Sequence, residues 1–104
     1  MAVLKVVTIC GSMRFKEDMM KEAERLSLKG LCVLTPIFSV SNRPKTKDEM
    51  KKLKEAHFKK IEMSDAIYVI NKNCYIGEST LLEIRHAEKL GKNIFFYNKI
   101  EYKH

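Results

Sequence analysis

Ser64-Asp65-Ala66-Ile67-Tyr68-Val69-Ile70-Asn71 is the stretch that decides the fold. Its five middle residues form a continuous apolar run of β-branched and aromatic side chains, without the polar alternation of a strand that has one face in water. A run of this kind belongs to a strand covered on both faces of a parallel sheet. Asp65 is expected to cap a helix end or loop in front of it, and Asn71 marks its carboxyl end.

On the N-terminal side of this strand, Met50, Leu53, His57, Ile61 and Ser64 recur at three- and four-residue spacing, which predicts a helix from Lys47 to Ser64 with a histidine on its inner face. A polar stretch from Ser39 to Thr46, containing Asn42-Arg43-Pro44, precedes it as the longest loop, suited to a lid or a partner contact. Leu31 to Leu34 reads as a second strand stopped by Pro36. Phe15 to Lys29 reads as a helix with Phe15, Met19, Ala23 and Leu26 on one face and Gly30 closing it. Val3 to Ile9, ending at Gly11, reads as the first strand. On the C-terminal side come a loop from Lys72 to Glu78, a helix from Ser79 to Leu90 ended by Gly91-Lys92, a strand from Asn93 to Tyr97 and a polar tail from Asn98 to His104.

Regular alternation of strand and helix patterns over 104 residues predicts a single α/β domain, residues 1–104. Right-handed crossovers make it a three-layer, flavodoxin-like or Rossmann-like parallel sheet of order 2-1-3-4 with helices on both faces. The ligand crevice of such a sheet lies beyond the carboxyl ends of the strands where the order reverses, here between the first and third. That placement sets Gly11 to Arg14 opposite Asn71 to Glu83.

Composition narrows the function classes. The chain is 45% hydrophobic and 32% charged, as in ordinary soluble domains, and has no apolar run long enough for a bilayer. The opening apolar residues run straight into Gly11-Ser12 without a cleavage site, so they read as strand and not as signal peptide. Three cysteines, Cys10, Cys32 and Cys74, match neither a disulfide framework nor a zinc spacing, so reduced thiols, a cytoplasmic setting, no metal and no cofactor are expected. Cys10 and Cys32 fall inside apolar strand runs and are expected to be buried, whereas Cys74 falls in a loop. The net charge of +7 comes largely from lysines between Lys45 and Lys60 interleaved with acids, the pattern of a solvated helix face. No aromatic residues alternate with them as a nucleic-acid platform needs, so the basic balance is read as favouring a small anionic ligand.

Two glycine-bearing turns then carry the candidate chemistry. Gly11-Ser12-Met13-Arg14 joins a strand to a helix, where close-turning backbone, free amide groups, a helix dipole and a guanidinium suit a phosphate. The plain alternative is a turn with Ser12 as N-cap and Arg14 on the surface. Tyr75-Ile76-Gly77-Glu78-Ser79-Thr80-Leu81-Leu82-Glu83 opens the last helix. Asn71, Gly77, Ser79 and Thr80 are candidate ligand contacts there, and Glu83 is either a carboxylate for chemistry or half of a Thr80-x-x-Glu83 capping box. His57 is either an acid/base or a hydrogen-bonded core residue.

At these residues the chain resembles the nucleoside 2-deoxyribosyltransferase-like superfamily, and within it the small deoxynucleoside 5′-monophosphate N-glycosidases. The likeness rests on Cys10-Gly11-Ser12-Met13-Arg14, on Ser64 to Ile70, and on Glu83-Ile84-Arg85-His86-Ala87 followed by Leu90-Gly91-Lys92-Asn93-Ile94. The resemblance implies a nucleoside or nucleotide substrate, a symmetric homodimer or larger assembly, and attack by Glu83 on the anomeric carbon of a deoxyribosyl group to release the base. His57 would then act as acid/base, with Gly11, Ser12, Arg14 and Ser79 holding the ligand. Family members commonly carry a tyrosine on the first strand and an aspartate on the second helix, where this chain has Thr8 and His57. The alternative reading is therefore a non-catalytic nucleotide-binding module of the same fold.

Overall fold

In the computed structural model, which describes residues 4–99, four parallel strands pair in the order β2-β1-β3-β4: β1 (Val6–Gly11), β2 (Cys32–Leu34), β3 (Ala66–Ile70) and β4 (Asn93–Phe96). Helices α1 (Lys16–Leu28), α2 (Lys47–Met63) and α3 (Glu78–Lys89) make the crossovers. This is the flavodoxin-like order expected from the sequence, with its reversal between β1 and β3, where Cys10 registers with Val69 and Gly11 with Ile70. The expectations for Val3 and for the tail beyond residue 99 lie outside the described residues.

Alternation along β1 feeds two separate cores. Ile9 packs with Phe15, Met19 and Ile70 under α1, while Cys10 packs with Ile61, Ile67, Val69, Ile84 and Ala87 under α2 and α3. β3 is buried on both faces apart from a partly exposed Tyr68, as its unbroken apolar run requires. Gly11 is needed where it stands, because a Cβ there would lie 3.2 Å from Ile70 Cβ and 3.3 Å from Ile70 O. Gly30 and Gly91, at φ of 95° and 70°, follow α1 and α3 in the left-handed conformation of helix-closing glycines. Asp65 Oδ2 accepts a 2.8 Å hydrogen bond from Val6 N and so caps the start of β1 from the loop before β3. Among the described residues no helix is long and apolar enough to cross a membrane.

Four local expectations are corrected. Phe15 closes a 3₁₀ turn, Met13–Phe15, instead of opening the helix, and Ser12 Oγ accepts from Arg14 N at its start. Cys32 is exposed, because β2 is a three-residue edge strand and too short to be covered. α3 begins at Glu78 with Gly77 as its N-cap, so Thr80 lies inside the first turn facing the core and Glu83 in the second turn. No capping box forms between them. The capping box of this chain is Thr46 with Glu49 at the start of α2, where Thr46 Oγ1 accepts from Glu49 N at 3.1 Å and Glu49 Oε1 accepts from Thr46 N at 2.9 Å. Arg43 adds a two-pronged bond to the same carboxylate at 2.8 and 2.7 Å, tying the end of the long loop to the helix and holding the Glu49 carboxyl down at about 2.

Candidate active site

The carboxyl end of β1 opens into a cavity of about 400 Å³ between the Pro36 to Lys45 segment, α2 and the start of α3. His57 and Glu83 form part of its wall, together with Gly11, Met13, Ser39 and Ser79. Helix geometry puts them there. His57 sits one turn before the buried Ile61 on α2, and Glu83 precedes the buried Ile84 on α3, at the margin of the core.

His57 Nε2 lies 3.3 Å from Glu83 Oε1 and 3.5 Å from the Sγ of Cys10, which reaches the same point from β1. The Cys10 thiol is pushed well above its ordinary value, first by burial and then by the adjacent Glu83 carboxylate, and is held as the neutral thiol. The imidazole is buried and its Nδ1 has no hydrogen-bond partner among the described residues; the same is true of Glu83 Oε1. A buried polar atom without a partner costs about 1–3 kcal/mol, and a carboxylate oxygen more. Native structures leave few such groups, and those that remain call for a functional explanation.

Of the ligand contacts expected from the sequence, the structure brings Gly11 and Ser79 to the cavity with Glu83 and His57, and sets five others outside its lining. Ser12 caps the 3₁₀ turn. Arg14 stacks its guanidinium on the Tyr75 ring at 3.9 Å. Asn71 is fully buried and is consumed by Asn98, with its amide donating to Asn98 O at 2.9 Å and its oxygen accepting from Asn98 N at 2.7 Å. Gly77 caps α3, and Thr80 is buried beneath it. Thr8 is also turned inward: its hydroxyl donates to Ser64 Oγ at 2.6 Å, and Ser64 in turn donates to Lys60 O at 2.7 Å.

Lys45, just before α2, and two lysines of α2 are the residues the sequence reading missed. Lys45, Lys54 and Lys60 line the cavity, with Lys60 Nζ bound to Thr35 O at 2.7 Å. Their spacing held the signal, because Lys54, His57 and Lys60 fall three residues apart and share one helix stripe. Interleaved acids made the whole run look solvated.

An α/β domain with a carboxylate and an imidazole at the switch point of a 2-1-3-4 sheet is the class this geometry defines. The backbone matches the 2-deoxyribosyltransferase from Leishmania mexicana with a TM-score of 0.66 and 18% sequence identity, over 89% of this chain and 63% of that one. It matches the 2-deoxyribosyltransferase from the psychrotolerant bacterium Bacillus psychrosaccharolyticus with a TM-score of 0.61 and 14% identity, over 92% of this chain and 77% of that one. The fold is therefore 2-deoxyribosyltransferase-like, on a chain that spans less than two thirds of the Leishmania protein. No protein-family model matches the sequence, and no curated protein does.

Proposed function

We propose that this chain cleaves the bond between base and sugar of a nucleoside or nucleotide, as an N-glycosidase or a 2-deoxyribosyltransferase, with Glu83 as nucleophile. The observation that carries the reading is Glu83 Oε1, a buried carboxylate oxygen without a hydrogen bond among the described residues, at the wall of a nucleoside-sized cavity. In this reading the Glu83 oxygen forms a bond to the anomeric carbon as the carbon–nitrogen bond breaks, and the electron pair leaves with the base. His57 donates a proton to the departing base and recovers one from the water or base that enters next. Water or a second base then takes the sugar from the glutamyl ester. Lys45 and Lys54 give the cavity a positive rim for a 5′-phosphate, the role the sequence had suggested for Arg14. The assembly in this proposal is a homodimer, and a monomer mass by light scattering at high protein concentration would contradict it.

A second reading, binding without turnover, is supported by Thr8. Its hydroxyl is fully buried and engaged with Ser64, so no tyrosine-like group stands beside Glu83 from β1. A panel of nucleosides and their 5′-monophosphates, scored for thermal shift and for free base by chromatography, separates the two. Base release by the wild type that is lost in Glu83→Gln supports the enzyme. A thermal shift with no release supports the binding module, and neither shift nor release across the panel defeats both.

A further inference from the structure

Cys10, His57 and Glu83 reach one point from β1, α2 and α3, and their donor atoms all lie within 4.8 Å of one another. Thiol, imidazole and carboxylate are the donor types that borderline divalent cations take. Tetrahedral zinc with bonds of about 2.3 Å to sulfur and about 2.0 Å to nitrogen and oxygen requires an S···N edge of about 3.5 Å and an N···O edge of about 3.3 Å. Two of the three edges have these lengths, 3.5 Å from Cys10 Sγ to His57 Nε2 and 3.3 Å from His57 Nε2 to Glu83 Oε1, and the third, Cys10 Sγ to the Glu83 carboxylate, lies within 4.8 Å and closes to about 3.5 Å on a bound ion.

Both neighbours address the same ring nitrogen. Nε2 has one bonding direction in the ring plane, so as hydrogen bonds the two contacts compete, and Oε1 in fact ends with none among the described residues. A cation on that axis would serve sulfur, nitrogen and oxygen together. The other chemistry these residue types suggest, a cysteine nucleophile with a histidine base, has the wrong geometry. Its orienting carboxylate belongs on Nδ1, which here has no partner among the described residues, and Cys10 is fully buried.

We infer that Cys10, His57 and Glu83 bind one zinc-class divalent cation, with the fourth position facing the cavity. As it binds, the Cys10 S–H bond breaks, the proton goes to solvent, and the sulfur electron pair makes the bond to the metal. Second-shell partners are worth about 10–100-fold in metal affinity, so the missing partner on Nδ1 makes this site weaker than one whose histidine is supported. The inference stands on the geometry of the three residues and not on the glycosidase reading. Its consequence for that reading is that an occupied site ties up Glu83, so that zinc inhibits base release.

The test uses the Cys32→Ser/Cys74→Ser chain, in which two exposed thiols are removed and Cys10 is the only cysteine left. Titration with cobalt(II) is expected to give a thiolate-to-cobalt charge-transfer band and the intense visible bands of tetrahedral coordination, saturating at one metal per chain and abolished by zinc. His57→Ala and, as a variant that keeps the side-chain shape, Glu83→Gln are each expected to weaken binding at least tenfold. Absence of the charge-transfer band, or affinity unchanged in Glu83→Gln, overturns the site. Base release assayed in the same samples keeps the two ideas apart. Metal binding without turnover leaves the site standing and counts against the enzyme alone, whereas turnover that persists at saturating zinc overturns the ligation of Glu83.

Discussion

Two partly buried glutamates sit on opposite faces of the same sheet and are treated in opposite ways. Under α1, Glu22 accepts from Arg25 Nε at 2.7 Å, from the second Arg25 nitrogen at 3.1 Å and from the Tyr68 hydroxyl at 2.6 Å. Its carboxyl is lowered, chiefly by the Arg25 bond. Under α2 and α3, Glu83 has a neutral thiol and an imidazole for neighbours, and one of its buried oxygens forms no hydrogen bond among the described residues. A fold that satisfies one carboxylate with three bonds on one face has the means to do so on the other. The difference marks Glu22 as part of the scaffold and supports the proposal that Glu83 is kept reactive, with the cost carried by the surrounding core.

The sharpest way to break this contrast is a paired substitution. Glu83→Gln is expected to lower base release by two or more orders of magnitude while leaving Tm unchanged or slightly raised, because an unsatisfied buried charge is removed. Glu22→Gln should leave turnover intact. If Glu22→Gln loses activity and Glu83→Gln does not, the assignment of the two faces is reversed.

Next in size is the ligand charge. Lys54→Ala is expected to reduce the preference for a monophosphate over its nucleoside several-fold in a binding titration, whereas Arg14→Ala, outside the cavity lining and stacked on Tyr75, should change it by less than about twofold. An Arg14 effect larger than the Lys54 effect would return the anion site to the Gly11 turn.

Stability should show the mirror image. Glu22→Gln is expected to cost about 1–2 kcal/mol in denaturant unfolding, the range for weakening a charge-assisted hydrogen bond. The pH dependence has a definite sign on this face. The lowered Glu22 carboxyl contributes stability that is complete above its unfolded value and is lost as pH falls through the folded one. Tyr68 is pushed up from 10.0 to about 12, by burial and then by Glu22, so its contribution is present below pH 10 and is lost as pH rises towards 12. Tyr68→Phe should flatten the alkaline limb of an unfolding-versus-pH profile; an unchanged limb would show that the pair is not coupled.

The smallest effect concerns the true capping box. Thr46→Ala should lower Tm by a few degrees and leave ligand binding intact, since Thr46 ties the long loop to α2 outside the cavity lining.

These contrasts were unequally visible in the sequence. The unbroken run Ala66 to Ile70, with glycines after α1 and α3, carried the sheet order, because burial on both faces leaves no polar alternation to hide it. His57 and Glu83 could be singled out because each interrupts an apolar stripe or opens a glycine-led helix. Cys10 could not be joined to them, since its contact with His57 crosses 47 residues and depends on which face of β1 it occupies. The start of α3 was misplaced because Thr80-x-x-Glu83 imitates a capping box whose hydroxyl is in fact in the core. Asn71 looked like a ligand contact at a strand end, and only the return of the chain at Asn98 shows it to be occupied. The lysines of α2 were averaged into a surface although their three-residue spacing with His57 placed them at the cavity.

The same β3 that secures the sheet also sets the hazard of making it. A central parallel strand cannot pair until the chain has closed a crossover on each side, so Ala66 to Ile70 waits, uncharged and rich in β-branched residues, while α2 and α3 find their places. Such a segment is a template for intermolecular stacking whenever it is left open. Asp65 and Asn71 stand at its two ends, and both find their partners elsewhere in the chain, Val6 and Asn98, on folding. Until then they are polar brakes on a sticky strand. Replacing either with an apolar residue is expected to raise the insoluble fraction on expression in addition to removing the hydrogen bonds at that end of the strand.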